Sequence, residues 1–268
     1  MLKKNNNLIK SFEFSNLSKF KNLSHGIFSR NGGRSKSPYN SLNIGFNVGD
    51  DKNDVSYNLD LILNTMNCKT YLSVNQIHSD KIVILDSYKN IDFKFNGDAI
   101  ITNLTDIILL IKTADCQPVM LYDPVCNVIA NIHSGWRGSI LNIIGKTVDK
   151  MKKIYSSKSE NIYAGIGPSL GPCCAEFINY KKEIPKEFWK YKLPNNYFNF
   201  WEISFDQLCL SGVKPENIMI SNICTACNTK NFYSYRKEKK TGRFASAILI
   251  KKKNRSLCLS YYNKEINA

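Results

Sequence analysis

Histidine and arginine are scarce in this chain of 268 residues: it has three histidines, and of 37 basic residues only six are arginine, at positions 30, 34, 137, 236, 243 and 255. Long apolar runs are missing too. The longest uninterrupted aliphatic stretch, Ile107 to Ile111, falls far short of the roughly 18 to 20 residues that a membrane span requires, so no bilayer crossing is expected. Three asparagines follow the opening Met-Leu-Lys-Lys where an export signal needs its apolar segment, and the expected location is cytoplasmic. No internal repeat, low-complexity tract or Pro/Gly/Ser linker divides the sequence, which favours one domain.

Lysine and asparagine are abundant instead. The formal net charge is +15, carried by 31 lysines, and there are 32 asparagines. Joint enrichment of the two is what an AT-rich coding sequence gives. Apart from short runs at 237–240 and 251–253 the lysines are scattered, so they read as a solvated basic surface, and a nucleic-acid face is not expected. An RNA-binding module would need arginines and aromatics interleaved on one face. The nine cysteines are odd in number and irregularly spaced, with Cys173 and Cys174 adjacent, a poor disulfide framework that points to free thiols in a reducing compartment. A hydrophobic share of 43% is enough for a sizeable core.

Periodicity gives a mixed α/β chain. After a ragged N-terminal segment, residues 1–24, HGIFSR reads as a strand running into the irregular turn NGGRSKSPY. Val55, Leu59, Ile62, Leu63 and Met66 recur at helical spacing behind Asp50 and Asp51, an acceptable N-cap. Extended segments are predicted at 71–77, 81–86, 106–113, 118–123 and 127–133, then at 161–167, 217–221, 231–236 and 244–250. One helix is predicted from about Gly138, with Ile140, Ile143, Ile144, Val148, Met151 and Ile154 on its apolar face, and another over 203–212. The expected architecture is a single mixed-sheet α/β domain over 25–268 with flanking helices.

The few histidines can each be placed. His78 ends the strand YLSVNQIH and His133 ends NVIANIH, while Cys116 stands just before PVMLYD. A hairpin centred near residue 125 pairs Cys116 with His133. If the strand ending in His78 reaches the same rim, one cysteine and two histidines surround a point. Three N/S ligands leave a metal one open coordination position, as in catalytic zinc sites, whereas four close it. The plainer alternative is a small hydrophobic cysteine and satisfied core histidines. In HSGWRG, Gly135 and Gly138 let strand turn into helix, and Arg137 in the first turn reads as a phosphate cradle.

The series HGIFSRNGG, PYNSLNIGFNVGDD, NQIHSDKI, GDAIIT, TADCQPVMLYDP, HSGWRG, IGPSLGPCC and FYSYRKEKKTGRFAS resembles the YfiH-like family, long labelled laccase-domain or polyphenol oxidase proteins. It covers roughly residues 25 to 250. The resemblance implies a single α/β domain and a zinc-dependent purine nucleoside phosphorylase acting on adenosine, inosine, guanosine and methylthioadenosine, with adenosine deaminase activity. It implies His78, Cys116 and His133 as metal ligands, and purine nucleosides and phosphate as partners. Ser134, Ser79 and Ala175 depart from the family's usual Ala, Gly and aromatic at those places.

Further candidates follow from the same motifs. Arg30 and Asn43 are polar residues suited to orienting nucleoside or phosphate. Asp98 and Asp115 either hold a ligand imidazole or ribose hydroxyls, or simply cap turns. Arg236 and Arg243 either close the site or decorate a surface hairpin, and His25 reads as structural. A multicopper oxidase needs many more imidazoles than three histidines provide, so this is no true laccase, although a single copper can occupy a Cys-His₂ site in vitro, leaving copper-dependent phenol oxidation as an alternative. The other alternative is a metal-free cysteine hydrolase or deamidase with Cys116 as nucleophile and His133 as base. Cys224-Thr225-Ala226-Cys227 lacks a second ligand pair nearby in sequence and reads as two ordinary thiols.

Overall fold

The segment Ile108–Thr113 reads ILLIKT, apolar on successive residues, so a strand formed there must be covered on both faces. The computed structural model, which describes residues 1–5, 9–91 and 94–252, shows how. Its strands are β1 (Leu2–Asn5), β2 (Lys10–Glu13), β3 (Leu23–Phe28), β4 (Tyr71–Ser73), β5 (Ile82–Ile84), β6 (Ala99–Thr102), β7 (Ile108–Thr113), β8 (Gln117–Asp123), β9 (Val128–Ser134), β10 (Tyr163–Ile166), β11 (Ile218–Ile220) and β12 (Phe244–Ile250). The α-helices are α1 (Ser15–Ser18), α2 (Lys52–Thr65), α3 (Trp136–Ile140), α4 (Ile143–Tyr155), α5 (Tyr180–Glu183), α6 (Phe200–Leu210) and α7 (Tyr235–Glu238).

The class is mixed α/β with flanking helices, as the periodicity implies, and the strands divide between two six-stranded mixed sheets. One runs β1-β2-β3-β12-β7-β4 and the other β11-β10-β8-β9-β6-β5. Alternation along each strand builds the layers. Leu109 and Ile111 of β7 and Ile248 of β12 meet Met120, Tyr122 and Ile129 of the facing sheet in the central core. Ile108 and Leu110 turn the other way and pack on Leu59, Ile62 and Leu63 of α2. On the far side Val119, Leu121, Ala130 and Ile132 bury against Ile144, Val148 and Met151 of α4 and Leu208 of α6. The result is four layers, helix, sheet, sheet, helix. Each fully buried Ile or Leu contributes about 1.5–3 kcal/mol. A buried amide stitches the two sheets: Asn131 Nδ2 donates to Leu109 O and to Ser246 O, both at 2.9 Å, and Ser246 Oγ donates back to Asn131 Oδ1.

Four local expectations are corrected. The N-terminal segment expected to be ragged supplies β1 and β2, which pair with each other and, through β2, with β3. It is fastened by Phe14, fully buried, whose N–H donates to His25 Nε2 at 2.9 Å and whose ring lies so close to Gly165 that a Cβ there would meet it at 2.5 Å. The helix expected from Gly138 onward is broken at Asn142, which takes a left-handed conformation (φ 56°) and caps α4 by accepting from Gly145 N–H. Residues 231–236 form no strand, because Ser234 caps α7 by accepting from Lys237 N–H. The β8–β9 register pairs Pro118, not Cys116, with His133. Asp51, by contrast, caps α2 as expected, accepting from the N–H groups of Asn53 and Asp54.

Candidate active site

Strand β6 begins at Ala99, and its antiparallel pairing with β9 sets Ala99 against Ile132, so the preceding Asp98 falls beside His133. Asp98 is fully buried, yet its carboxylate does not lack partners. Oδ1 accepts from His78 N–H at 3.0 Å and meets His133 Nδ1 at 2.8 Å. Oδ2 accepts from Ser79 N–H at 2.7 Å, Ser79 Oγ at 2.9 Å and Ile77 N–H at 3.3 Å. Burial works against the charged carboxylate, but the His133 and Ser79 hydrogen bonds outweigh it and hold Asp98 below its ordinary range. A carboxylate only accepts, so it fixes the His133 proton on Nδ1 and leaves the Nε2 lone pair available to a ligand. The same group holds the 77–79 turn, in which His78 takes a left-handed φ of 57°.

Cys116 is delivered differently. It follows Asp115, whose φ of 91° bends the chain just before β8. The Asp115 carboxylate accepts from Thr225 Oγ1 and from Arg236 N–H, both at 2.6 Å. The sequence pairing of Cys116 with His133 is thus off by two residues, but this bend returns the sulfur to the imidazoles: the ligand atoms of His78, Cys116 and His133 all lie within 4.8 Å of one another. Cys116 Sγ is 4.0 Å from His78 Nε2. Tetrahedral zinc with ordinary bond lengths places S and N ligands about 3.5 Å apart, so small rotations complete the set.

Two further observations bear on a metal. A Cβ on Gly135 would lie 3.0 Å from Cys116 Sγ and 3.2 Å from His78 Cδ2. Gly135 has an ordinary backbone (φ −76°), so glycine is required here for space and not for conformation. Burial alone would push the Cys116 thiol up, but attraction to His133 and hydrogen bonds from His133 and His78 bring it down to about 6. Burial would likewise depress His133, yet Cys116 and Asp98 raise it to about 9. The residues therefore fit a soft divalent ion: a ready thiolate, an oriented imidazole, and a second imidazole across a gap kept clear by glycine.

The three residues border a cavity of about 720 Å³. Phe46, Trp136, Phe177, Phe200 and Tyr235 supply aromatic wall, and its cations are Lys112, Arg236, Lys239 and Arg243. Asp115 lines it as well. The other candidates stand elsewhere. Arg137 is exposed, stacked 4.3 Å over the Trp136 ring and outside the lining. Arg30 is buried, paired with Glu238 at 2.7 Å and stacked on Tyr233. Asn43 is buried in a turn, accepting from Gly45 and Arg243 N–H and donating to Asp50. Lys112, Gln76, Phe46 and Phe177 escaped the sequence reading. Lys112 sits in an apolar strand, where a lone lysine was the available signal, and Gln76 pairs with its backbone at 2.7 and 3.0 Å.

The family model for multi-copper polyphenol oxidoreductase laccase matches residues 24–251. The chain belongs to that family. A purine nucleoside phosphorylase of Bacteroides thetaiotaomicron is 30% identical over 258 residues, covering 89% of this chain and 96% of the relative. One from Clostridium acetobutylicum is 34% identical over 220 residues, 80% and 89% of the two chains. The crystal structure of YlmD from Geobacillus stearothermophilus superposes with a TM-score of 0.83 at 25% identity, covering 93% of this chain and 98% of that one. YfiH from Bacillus licheniformis gives 0.80 at 28% identity, over 85% and 93%. The resemblance read from the motifs is therefore borne out, and this laccase-like chain shares the fold of YfiH and YlmD. Among the described residues no helix is long and apolar enough to cross a membrane.

Proposed function

We propose that this protein is a zinc-dependent purine nucleoside phosphorylase that also deaminates adenosine, with His78, Cys116 and His133 as its metal ligands. The observation that carries the reading is the convergence of these three side chains at the border of an aromatic and cationic cavity. The names of the relatives support purine nucleosides and phosphate as substrates. Copper fits the same donors, but the multi-copper description of the family requires imidazoles that a chain with three histidines does not have.

His78, Cys116 and His133 would hold zinc, which would supply Lewis acidity to a reactant bound there. The protein does the rest. Asp98 holds His133 in the tautomer that presents Nε2, and anchors the turn that carries His78. Phe46, Trp136 and Phe177 offer faces against which a purine stacks. Lys112, Arg236, Lys239 and Arg243 hold phosphate, the task that the sequence assigned to Arg137. In phosphorolysis a phosphate oxygen bonds to C1′ of the ribose as the C1′–N9 bond breaks; the electron pair leaves with the purine, which takes up a proton. In deamination water adds at C6 and ammonia departs. Asp115 and Asn43 act by positioning Cys116 and Arg243.

A second reading has its own observation: with Asp98, His133 and a Cys116 thiol lowered to about 6, the site also has the parts of a cysteine nucleophile. One experiment separates them. Purified protein, with and without its metal, is incubated with adenosine in the presence and absence of phosphate, and adenine is resolved from inosine. Adenine that requires phosphate and metal, with inosine that requires metal alone, is expected. Absence of both products from metal-loaded protein overturns the proposal.

A further inference from the structure

The Cys224-x-x-Cys227 pair does find partners, which corrects the reading of two ordinary thiols. The loop after β10 brings Cys173 and Cys174 against it, and the four sulfurs lie within 4.8 Å of one another. Cys227 Sγ is 3.6 Å from Cys173 Sγ and 3.5 Å from Cys174 Sγ. A disulfide requires about 2.05 Å and joins only two sulfurs. Here one sulfur stands nearly equidistant from two others, with a fourth close by. Tetrahedral zinc at about 2.3 Å from each sulfur sets neighbouring sulfurs about 3.8 Å apart, close to what is seen.

The backbone around the sulfurs is built for this approach. A parallel bridge joins Ser169 to Cys224, with Thr225 N–H donating to Ser169 O at 2.9 Å. Gly171 N–H donates to Cys224 Sγ at 3.3 Å, and a Cβ on Gly171 would come within 2.9 Å of Cys224 Cβ. Glycine thus lets the two loops close on the sulfur, and its N–H orients that sulfur. Arg236 Nη1 donates to Cys174 O at 3.0 Å, bringing a positive charge beside a cluster that would be anionic as thiolates.

We infer that Cys173, Cys174, Cys224 and Cys227 bind a second zinc ion, in a closed four-thiolate site that braces the cavity wall. Four soft ligands leave no open position, so the role is structural. The brace reaches the first centre by a short route. Thr225, inside the Cys-x-x-Cys loop, holds the Asp115 carboxylate, and Leu170 N–H donates to Asp115 O at 2.8 Å. Asp115 in turn bends the chain into Cys116.

The test is metal analysis of the full chain purified reduced and without chelator. Two zinc ions per chain are expected. The Cys173→Ser/Cys227→Ser variant should lose one and the His78→Ala variant the other, so that failure at either centre is read separately. Should the cysteine variant not fold, cobalt loading of the His78→Ala protein gives a second readout: the strong sulfur-to-cobalt charge-transfer absorption of a four-thiolate site, which a Cys-His₂ centre does not reproduce. The inference is overturned if the His78→Ala protein holds no zinc, if all four cysteines are alkylated at the rate of exposed thiols in the native state, or if intact mass shows the two hydrogens missing that mark a disulfide among them.

Discussion

Replacing Asp98 by asparagine keeps the shape of the side chain and removes its charge, which makes it a sharp probe of how the first centre is held. Five hydrogen bonds converge on this carboxylate. If the amide nitrogen takes the place of Oδ2, it confronts the N–H groups of Ser79 and Ile77; if it takes the place of Oδ1, it confronts His78 N–H and forces His133 into the other tautomer. Hydrogen bonds to a charged group contribute about 1.5–3 kcal/mol each, and water can replace part of the loss at the exposed 77–79 turn, so Asp98→Asn should destabilise the metal-free protein by about 3 kcal/mol. Loss of an outer partner to a ligating histidine should also weaken zinc binding by roughly 10- to 100-fold. Urea unfolding of metal-free protein and zinc competition against a chelator measure the two effects. Because Asp98 is held below its ordinary value of 3.8, its stabilisation is present above that value and is lost as the pH falls through the lowered one. A variant that unfolds within about 0.5 kcal/mol of the parent and binds zinc unchanged would refute the reasoning.

Three other outcomes are expected. Gly135→Ala should cut zinc content while leaving urea stability of the metal-free protein within about 1 kcal/mol, because its methyl group intrudes on the space between Cys116 and His78; full zinc occupancy contradicts this. In metal-free protein Cys116, lowered from 9.0 to about 6, stabilises progressively as pH rises above 6, whereas His133, raised from 6.5 to about 9, stabilises fully below 6.5 and stops doing so as pH passes 9. Their shared ion pair should therefore give a stability maximum between those limits that disappears in Cys116→Ser, as chemical denaturation across pH will report. Arg243→Gln should raise the KM for phosphate by roughly 10- to 100-fold, the worth of a charge-assisted contact, while deamination proceeds at the parent rate; equal loss of both activities would remove Arg243 from phosphate binding.

Two of the three candidate ligands were legible from strand pattern, since Cys116 directly precedes β8 and His133 lies near the end of β9, whereas the strand expected to run to His78 stops at Ser73 and leaves His78 in the 77–79 turn. Their mutual register was less so: Asp115, with its left-handed bend, moves Cys116 out of the ladder, and no hairpin count anticipates that. Asp98 proved to be both of its sequence readings at once, a cap for the 77–79 turn and a holder of an imidazole. The four-cysteine cluster was hidden for another reason. Its halves lie some 50 residues apart and meet through the Ser169–Cys224 bridge, a pairing outside any regular strand. The missed N-terminal strands have a similar cause, since Lys10–Glu13 reads KSFE and gains its strand identity by adding to the edge of β3. Arg137 illustrates the reverse error. A glycine-flanked arginine at a helix start suggested an anion cradle, but the Arg137 side chain is exposed, stacked on Trp136 and outside the cavity lining.

Asn131, the amide shared by both sheets, lies two residues before His133 on β9, so the joint between the layers is placed almost under the reactive centre. Sliding or parting of the layers would break three buried hydrogen bonds at once, and the scaffold beneath the pocket accordingly behaves as one rigid floor. For the proposed activity, entry of reactants and escape of products then fall to the roof, where residues 45–48 and Tyr235, Arg236, Lys239 and Arg243 line the cavity without belonging to the inner strands of either sheet.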